Sequence, residues 1–225
     1  MKKAPILFTL AISLCLIFYQ CQKTCNSKKL GDIRFTQTDL NIVPYNGMEN
    51  LIFKDSTDDT ISMHPEVSKG RNSIYDDKHY ERYYSPEECP PNYYYTEGNY
   101  THFIGTDYHT SIWTDLYFED PFVTPLKKVI VIDVAYKDSQ EWYFSSTFYF
   151  DASLLYDRSP REVNIVAFND SLTIGPKQFK NVYTLRQNVD PYGLKNLKIV
   201  YYSVTSGVVG FKTDEGHIWY LESGM

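Results

Sequence analysis

The sequence predicts an all-β fold: antiparallel strands forming a sandwich, an open barrel or a strongly curved sheet, with one irregular insertion rich in tyrosine and proline. Three observations carry that prediction. From Ile33 onward the apolar residues recur with period two, and most are β-branched or aromatic. Turn-forming residues separate these runs at short intervals. No window offers a long amphipathic helix with caps, and only residues 151–158 or 160–166 suit a single helical turn.

Taken in order, residues 50–54 and 60–63 read as two strands around the polar loop Asp55-Ser56-Thr57-Asp58-Asp59. Residues 62–91 break the rhythm with Pro65, Pro86, Pro90 and Pro91, dense charge and little apolar content besides tyrosine. Proline lacks the donor that a ladder needs, so a central strand is not expected there and an irregular insertion is. Further strands are expected over 93–104, 111–119, 129–136, 141–150, 163–168 and 177–186. The C-terminal runs 197–204, 208–212 and 217–221 are split by Thr205-Ser206-Gly207 and Thr213-Asp214-Glu215-Gly216, which predicts an antiparallel meander. Gly207 and Gly216 stand where a hairpin loop needs a residue with positive φ. The segments NLIFKDSTDDTI and NIVAFNDSLTI share an apolar run, Asp-Ser and Thr-Ile, which suggests two similar hairpins but no solenoid.

The N-terminus carries its own signal. Lys2 and Lys3 precede an uncharged, mainly apolar run that ends at Tyr19, short for a spanning helix, as in an export signal rather than a retained anchor. The expected organisation is a signal over 1–20, a polar tether over 21–31 and one β-rich domain over 32–225, with the insertion at 62–91. No small-residue cleavage site closes the apolar run. Instead Phe18-Tyr19-Gln20-Cys21 resembles a bacterial lipobox, with Phe18 and Gln20 departing from its usual Leu and small residue. That resemblance implies that Cys21 carries the acyl chains and becomes the first mature residue. Cys15 is a poorer choice, since it would leave a shorter apolar run and an aromatic terminus. Cys25 and Cys89 then remain as one possible disulfide pair in an oxidising compartment, or as free thiols.

The chain has 22 basic and 28 acidic residues, a formal net charge of −6. Loss of the signal removes two lysines and no acid, so the balance becomes more negative. An acidic chain without a basic cluster repels phosphate backbones, which argues against a nucleic-acid partner.

The run YYSVTSGVVGFKTDEGHIWYL, with PKQFKNVYTL and YNGMENLIFKDSTDDTI, resembles uncharacterised exported β-rich lipoproteins of the Bacteroidota type. The resemblance covers the two ends of the mature chain, implies a lipid-anchored envelope protein, and carries no functional residue with it. The triplets at Asp55-Ser56-Thr57, Asp59-Thr60-Ile61 and Asp170-Ser171-Leu172 resemble the acceptor of a protein O-glycosylation system in the same bacteria. That likeness implies Ser56, Thr60 and Ser171 as acceptors; the plainer reading is three polar turns.

Chemistry is sparsely signalled. His102, Asp107 and His109 offer three metal-ligand types close in sequence, but without a second histidine pair they read as hairpin residues on a wet face. Asp55, Asp58 and Asp59 lack the order of a calcium loop. No hydrolase elbow, phosphate loop or cofactor motif is present, and Glu87 and Glu88 would point to opposite sides of an extended segment. The functional promise lies in aromatics. Tyr83, Tyr84, Tyr93, Tyr94 and Tyr95 cluster in and beside the insertion, and tyrosine suits both packing on a sheet and contact with a ligand. The expectation is a non-enzymatic binding or assembly component, held to the membrane by acyl chains, with a glycan or envelope protein as partner and no cofactor or metal. The tether's lack of acidic residues favours the periplasmic face of the outer membrane over the cell surface. Alternatives are a glycan-active hydrolase of the envelope and a structural subunit that pairs through strand edges.

Overall fold

The computed structural model describes residues 29–66, 78–84, 93–106, 110–119, 124–137, 143–152, 165–186, 197–213 and 216–224. Thirteen strands and one helical turn follow in order: β1 (Lys29–Ile33), α1 (Gln37–Leu40), β2 (Leu51–Lys54), β3 (Thr60–Pro65), β4 (Lys78–Tyr84), β5 (Tyr93–Gly105), β6 (Ser111–Phe118) and β7 (Lys128–Lys137). The series continues with β8 (Tyr143–Asp151), β9 (Ile165–Ile174), β10 (Lys177–Leu185), β11 (Leu197–Ser203), β12 (Gly207–Thr213) and β13 (Ile218–Ser223). The strands build one strongly curled, half-barrel sheet, antiparallel except at β1. Its order is β8-β7-β6-β5-β3-β2-β13-β12-β11-β10-β9, with β1 and β4 added along β5.

The thirteen-residue β5 is long enough to hold four neighbours. Asn99 lies opposite both Lys78 of β4 and Leu116 of β6, so those strands occupy opposite edges of β5. Strand β3 pairs farther along, at Phe103 to Gly105. Strand β1 runs parallel to Tyr93–Thr96, along the edge that β6 leaves open.

Curling follows from where the register breaks. Shifts fall at Thr184/Leu185, Leu197/Ile199, Tyr201/Tyr202 and Leu221/Ser223 in the β9 to β13 half, and once elsewhere, at Lys29/Gly31 on β1. Each such irregularity raises local twist and bends the strand that carries it. The half therefore folds over, and β8 meets β11 where Ser146 Oγ donates to the Leu197 carbonyl at 3.2 Å. Tyr136 of β7 packs its ring against Phe211 and Trp219, at centroid distances of 5.7 and 5.6 Å. Strands β9 and β10 continue the sheet past this meeting point.

Alternation sets the core. Phe103, Ile112, Leu116, Phe118, Ile130, Ile132 and Val134 face inward from β5, β6 and β7, and Val200, Tyr202, Val209, Phe211 and Leu221 answer from the other half. The chain between β1 and β2 fills the space between them. Phe35 stacks on Phe118 at 4.4 Å, and Tyr45 sets its ring edge-on to Phe103 at 4.9 Å. Burying a side chain such as Phe35 stabilises by about 2 kcal/mol. The Tyr202 hydroxyl donates to the Ile42 carbonyl, and the Tyr45 hydroxyl accepts from Val208 N, both at 2.6 Å. Thr36 and Asp39 form a capping box around α1, and buried Asp39 pairs with Lys128 at 2.6 Å.

The antiparallel, all-β expectation holds, as does the meander: φ is +72° at Gly207 and +97° at Gly216. Four details differ. The insertion is not irregular throughout, because Lys78–Tyr84 forms β4 on β5. The prolines explain this, since Pro65 ends β3 and the other three lie after β4, leaving a proline-free tyrosine run between. The stretch read as tether yields its last residues to β1, because β5 has an open edge there. The segment NIVAFNDSLTI contributes an unbroken strand, with its turn at Gly175 (φ +58°), and so does not repeat the β2–β3 hairpin. The helical turn falls at α1, whereas Asp151 and Ile165 are strand residues and 153–164 lie outside the described residues.

Candidate functional site

Strand registry assembles a line of side chains that no sequence spacing shows. His102 lies opposite Trp113, Trp113 opposite Asp133, and Asp133 opposite Thr147, one residue from each of β5, β6, β7 and β8. Their sequence neighbours Thr101, Phe103, Thr114, Ile132 and Val134 point into the core. Alternation therefore puts the line on the outer face. Trp113 is 44% exposed, unusual for so large an apolar side chain.

Hydrogen bonds fix the ends of the line. The chain leaving β3 is held by Glu66 N donating to the His102 carbonyl at 2.8 Å, which brings the Glu66 carboxylate to His102 Nδ1 at 2.5 Å. The His102 and Trp113 rings are 5.2 Å apart and tilted by 31°, so Trp113 is the exposed member of an aromatic pair. On its far side Thr147 Oγ1 donates to Asp133 Oδ1 at 3.2 Å. The aromatic pair is thus flanked by a carboxylate on each side. The strand backbones that carry His102 and Asp133 stand about 10 Å apart, two strand spacings.

A second polar column lies on the inner face. Glu97, Asn99 and Thr101 of β5 and Thr114 of β6 are buried. Thr101 and Thr114 share a 2.7 Å hydroxyl contact, and Phe35 N donates to Glu97 Oε2 at 2.8 Å. Asn99 Oδ1 has no hydrogen-bond partner among the described residues. Phe35 and its neighbours close over this column, which makes it part of the core rather than a route for a ligand.

The residues expected from sequence fare differently. Pairing joins the backbones of Tyr83 and Tyr94, and of Tyr84 and Tyr93, with Tyr95 next along β5, so the five come together where β4 meets β5. Of their side chains only that of Tyr94 is described; it is half-buried beside Gly31. Ser56 is exposed in the β2–β3 loop, Thr60 is exposed at the start of β3, and Ser171 is exposed within β9 rather than in a turn. Cys21, Cys25, Cys89, Asp107, His109, Glu87, Glu88 and the 1–20 signal lie outside the described residues. Among the described residues no three His, Cys, Asp or Glu side chains converge as a metal site.

The aspartate loop turns inward on itself. Asp55 accepts from Thr57 N, Thr57 Oγ1 and Asp59 N at 2.8 to 3.0 Å, and Asp58 adopts φ +67°. Burial raises the Asp55 pKa, but those bonds and the nearby His217 outweigh it and leave the group below its usual range.

The sequence draws attention to His102, read as a hairpin residue on a wet face rather than a metal ligand, and to none of Trp113, Asp133 and Thr147. These are 113, 133 and 147 in a chain whose strands must first be paired, and only registry brings them together. No protein-family model, curated protein or solved structure matches the chain at a significant level.

Proposed function

We propose that the protein is a non-enzymatic binding component of the cell envelope, held by acyl chains at Cys21 on the periplasmic face of the outer membrane. The outer face of β5 to β8 is its binding surface. The exposed Trp113, set in line between the Glu66–His102 pair and the Thr147–Asp133 pair, supports this reading. A surface tryptophan bordered by carboxylates is a means of holding a ligand. The same geometry counts against a glycan hydrolase built on this line. Glu66 and Asp133 stand to either side of an aromatic pair on an outer sheet face, each engaged by another side chain, whereas paired catalytic carboxyls face one another across the scissile bond.

The test is retention of the full-length protein, purified in detergent, on detergent-washed envelope from the cells that make it. The intact protein should bind and Trp113→Ala should bind about tenfold more weakly, a loss of about 1.4 kcal/mol. Equal binding by the two would remove the site. Intact mass of the extracted protein tests the anchor, since a chain that retains Met1 rules out acylated Cys21.

One observation favours a second reading, that of a subunit pairing through strand edges. Strand β9 is outermost in the sheet and runs ten residues without Lys, Arg or Pro, the usual protections of an edge. A monomer by light scattering in detergent, after correction for the micelle, would end that reading.

A further inference from the structure

We infer that the ligand of the Trp113 line is a neutral saccharide chain lying across the strands, an inference that rests on the reading of that line as a binding surface. Three features of the line select this chemistry over others.

First, main-chain recognition is closed to it. Strands β6 and β7 are hydrogen-bonded along both edges, to β5 and β7 and to β6 and β8. A peptide cannot add itself as a strand there, so the ligand must be read by side chains from above the sheet.

Second, charge is largely spoken for. The Glu66 carboxylate is engaged by His102, and Asp133 takes the Thr147 hydroxyl. A cationic ligand is best served by carboxylates with no such partners. An anionic one meets two carboxylates on a chain of net charge −6. What Glu66 still offers is acceptor capacity, since a carboxylate has about four lone-pair sites and His102 takes one of them. Hydroxyl donors without charge fit that remainder.

Third, the layout matches a sugar ring. A pyranose has an apolar C–H face, which lies flat on an aromatic ring, and a rim of hydroxyls in the ring plane. The exposed Trp113 ring offers the flat partner, with the carboxylates of Glu66 and Asp133 to either side of the aromatic pair along the line. Thr147 ends the line with a hydroxyl whose proton goes to Asp133 and whose oxygen can accept. Residues one strand apart repeat every 4.8 Å or so, making His102 to Thr147 about 14 Å long at the backbone. That length suits several linked rings rather than one.

Retention on the detergent-washed envelope is again the measurement, with the envelope first treated by periodate, which cleaves vicinal diols, or by protease. The expected result is binding that disappears after periodate, survives protease and about 0.5 M NaCl, and falls about tenfold in Trp113→Ala with partial recovery in Trp113→Phe. Trp113-dependent binding that survives periodate, or that is lost to protease or salt, overturns the saccharide while leaving the binding surface in place. Binding with no dependence on Trp113 overturns both. Circular dichroism of each variant distinguishes lost contact from lost fold.

Discussion

Tyr45 closes over Gly207 so tightly that a β-carbon at residue 207 would lie 2.1 Å from the tyrosine hydroxyl. The same hydroxyl accepts from the neighbouring Val208 N at 2.6 Å. One phenol thus joins the chain that fills the half-barrel to the turn that opens β12. Gly207→Ala has no easy adjustment, because φ is +72° and the intruding atom meets a buried ring. We expect a loss of about 3 kcal/mol or more in urea unfolding. A loss under about 1 kcal/mol would show that Tyr45 can move aside.

Tyr45→Phe keeps the ring and removes the acceptor, stranding a buried N–H at Val208. The expected cost is about 1 to 3 kcal/mol, read by the same unfolding curves. Burial already holds the Tyr45 and Tyr202 hydroxyls in their protonated forms, raising both pKa values, with Tyr45 adding to the effect on Tyr202. Neither should titrate in the folded protein as mildly alkaline pH is reached, which ultraviolet difference spectra check.

Thr101 and Thr114 bond to each other inside the sheet, and the pair should behave as a unit. Either single Thr→Val replacement leaves a buried hydroxyl facing a methyl and should cost about 1 to 2 kcal/mol. The double replacement should cost less than the sum of the singles. Strict additivity in a double-mutant cycle would show that the 2.7 Å contact contributes nothing.

Asp55 should shape the acid limb of stability. Its pKa is lowered in the folded state, so its contribution is complete above the unfolded value of about 3.9 and is lost as pH falls through the lower folded value. In Asp55→Ala the urea midpoint should be reduced at neutral pH and should fall less steeply below about pH 4 than in the natural chain. Parallel acid limbs would assign the effect to other carboxyls.

Trp113→Ala should leave unfolding within about 0.5 kcal/mol of the natural chain, since the ring is substantially exposed on the outer face. Larger destabilisation would mean that the ring serves the fold.

Much of the sheet was legible in the sequence because period-two patterning is local. Every strand from β5 to β13 except β9 lies within a residue or two of its expected limits, and Gly207 and Gly216 take the backbone their turns require. Two strands escaped. Lys29–Ile33 has its two apolar residues, Leu30 and Ile33, three apart and so carries no period-two alternation; the open edge of β5 makes it a strand. Lys78–Tyr84 sits among prolines that belong to the chain before and after it. The helical turn at α1 carried a readable signal, Thr36 and Asp39 three apart, too short to stand out as a periodic run. The Trp113 line was not legible at all. Its members come from four strands, and a one-residue slip in any pairing would send one of them into the core.

The strand β1 also sets a leash. If Cys21 carries the proposed anchor, the folded sheet begins eight residues later, at Lys29, where parallel pairing with β5 takes hold. The eight residue steps from Cys21 to Lys29 cover at most about 29 Å. Under that anchor the start of β1 would stand no farther than this from the bilayer. On the proposed reading a partner would then have to come to the membrane surface, and whatever the outer face held would stay within the same narrow layer.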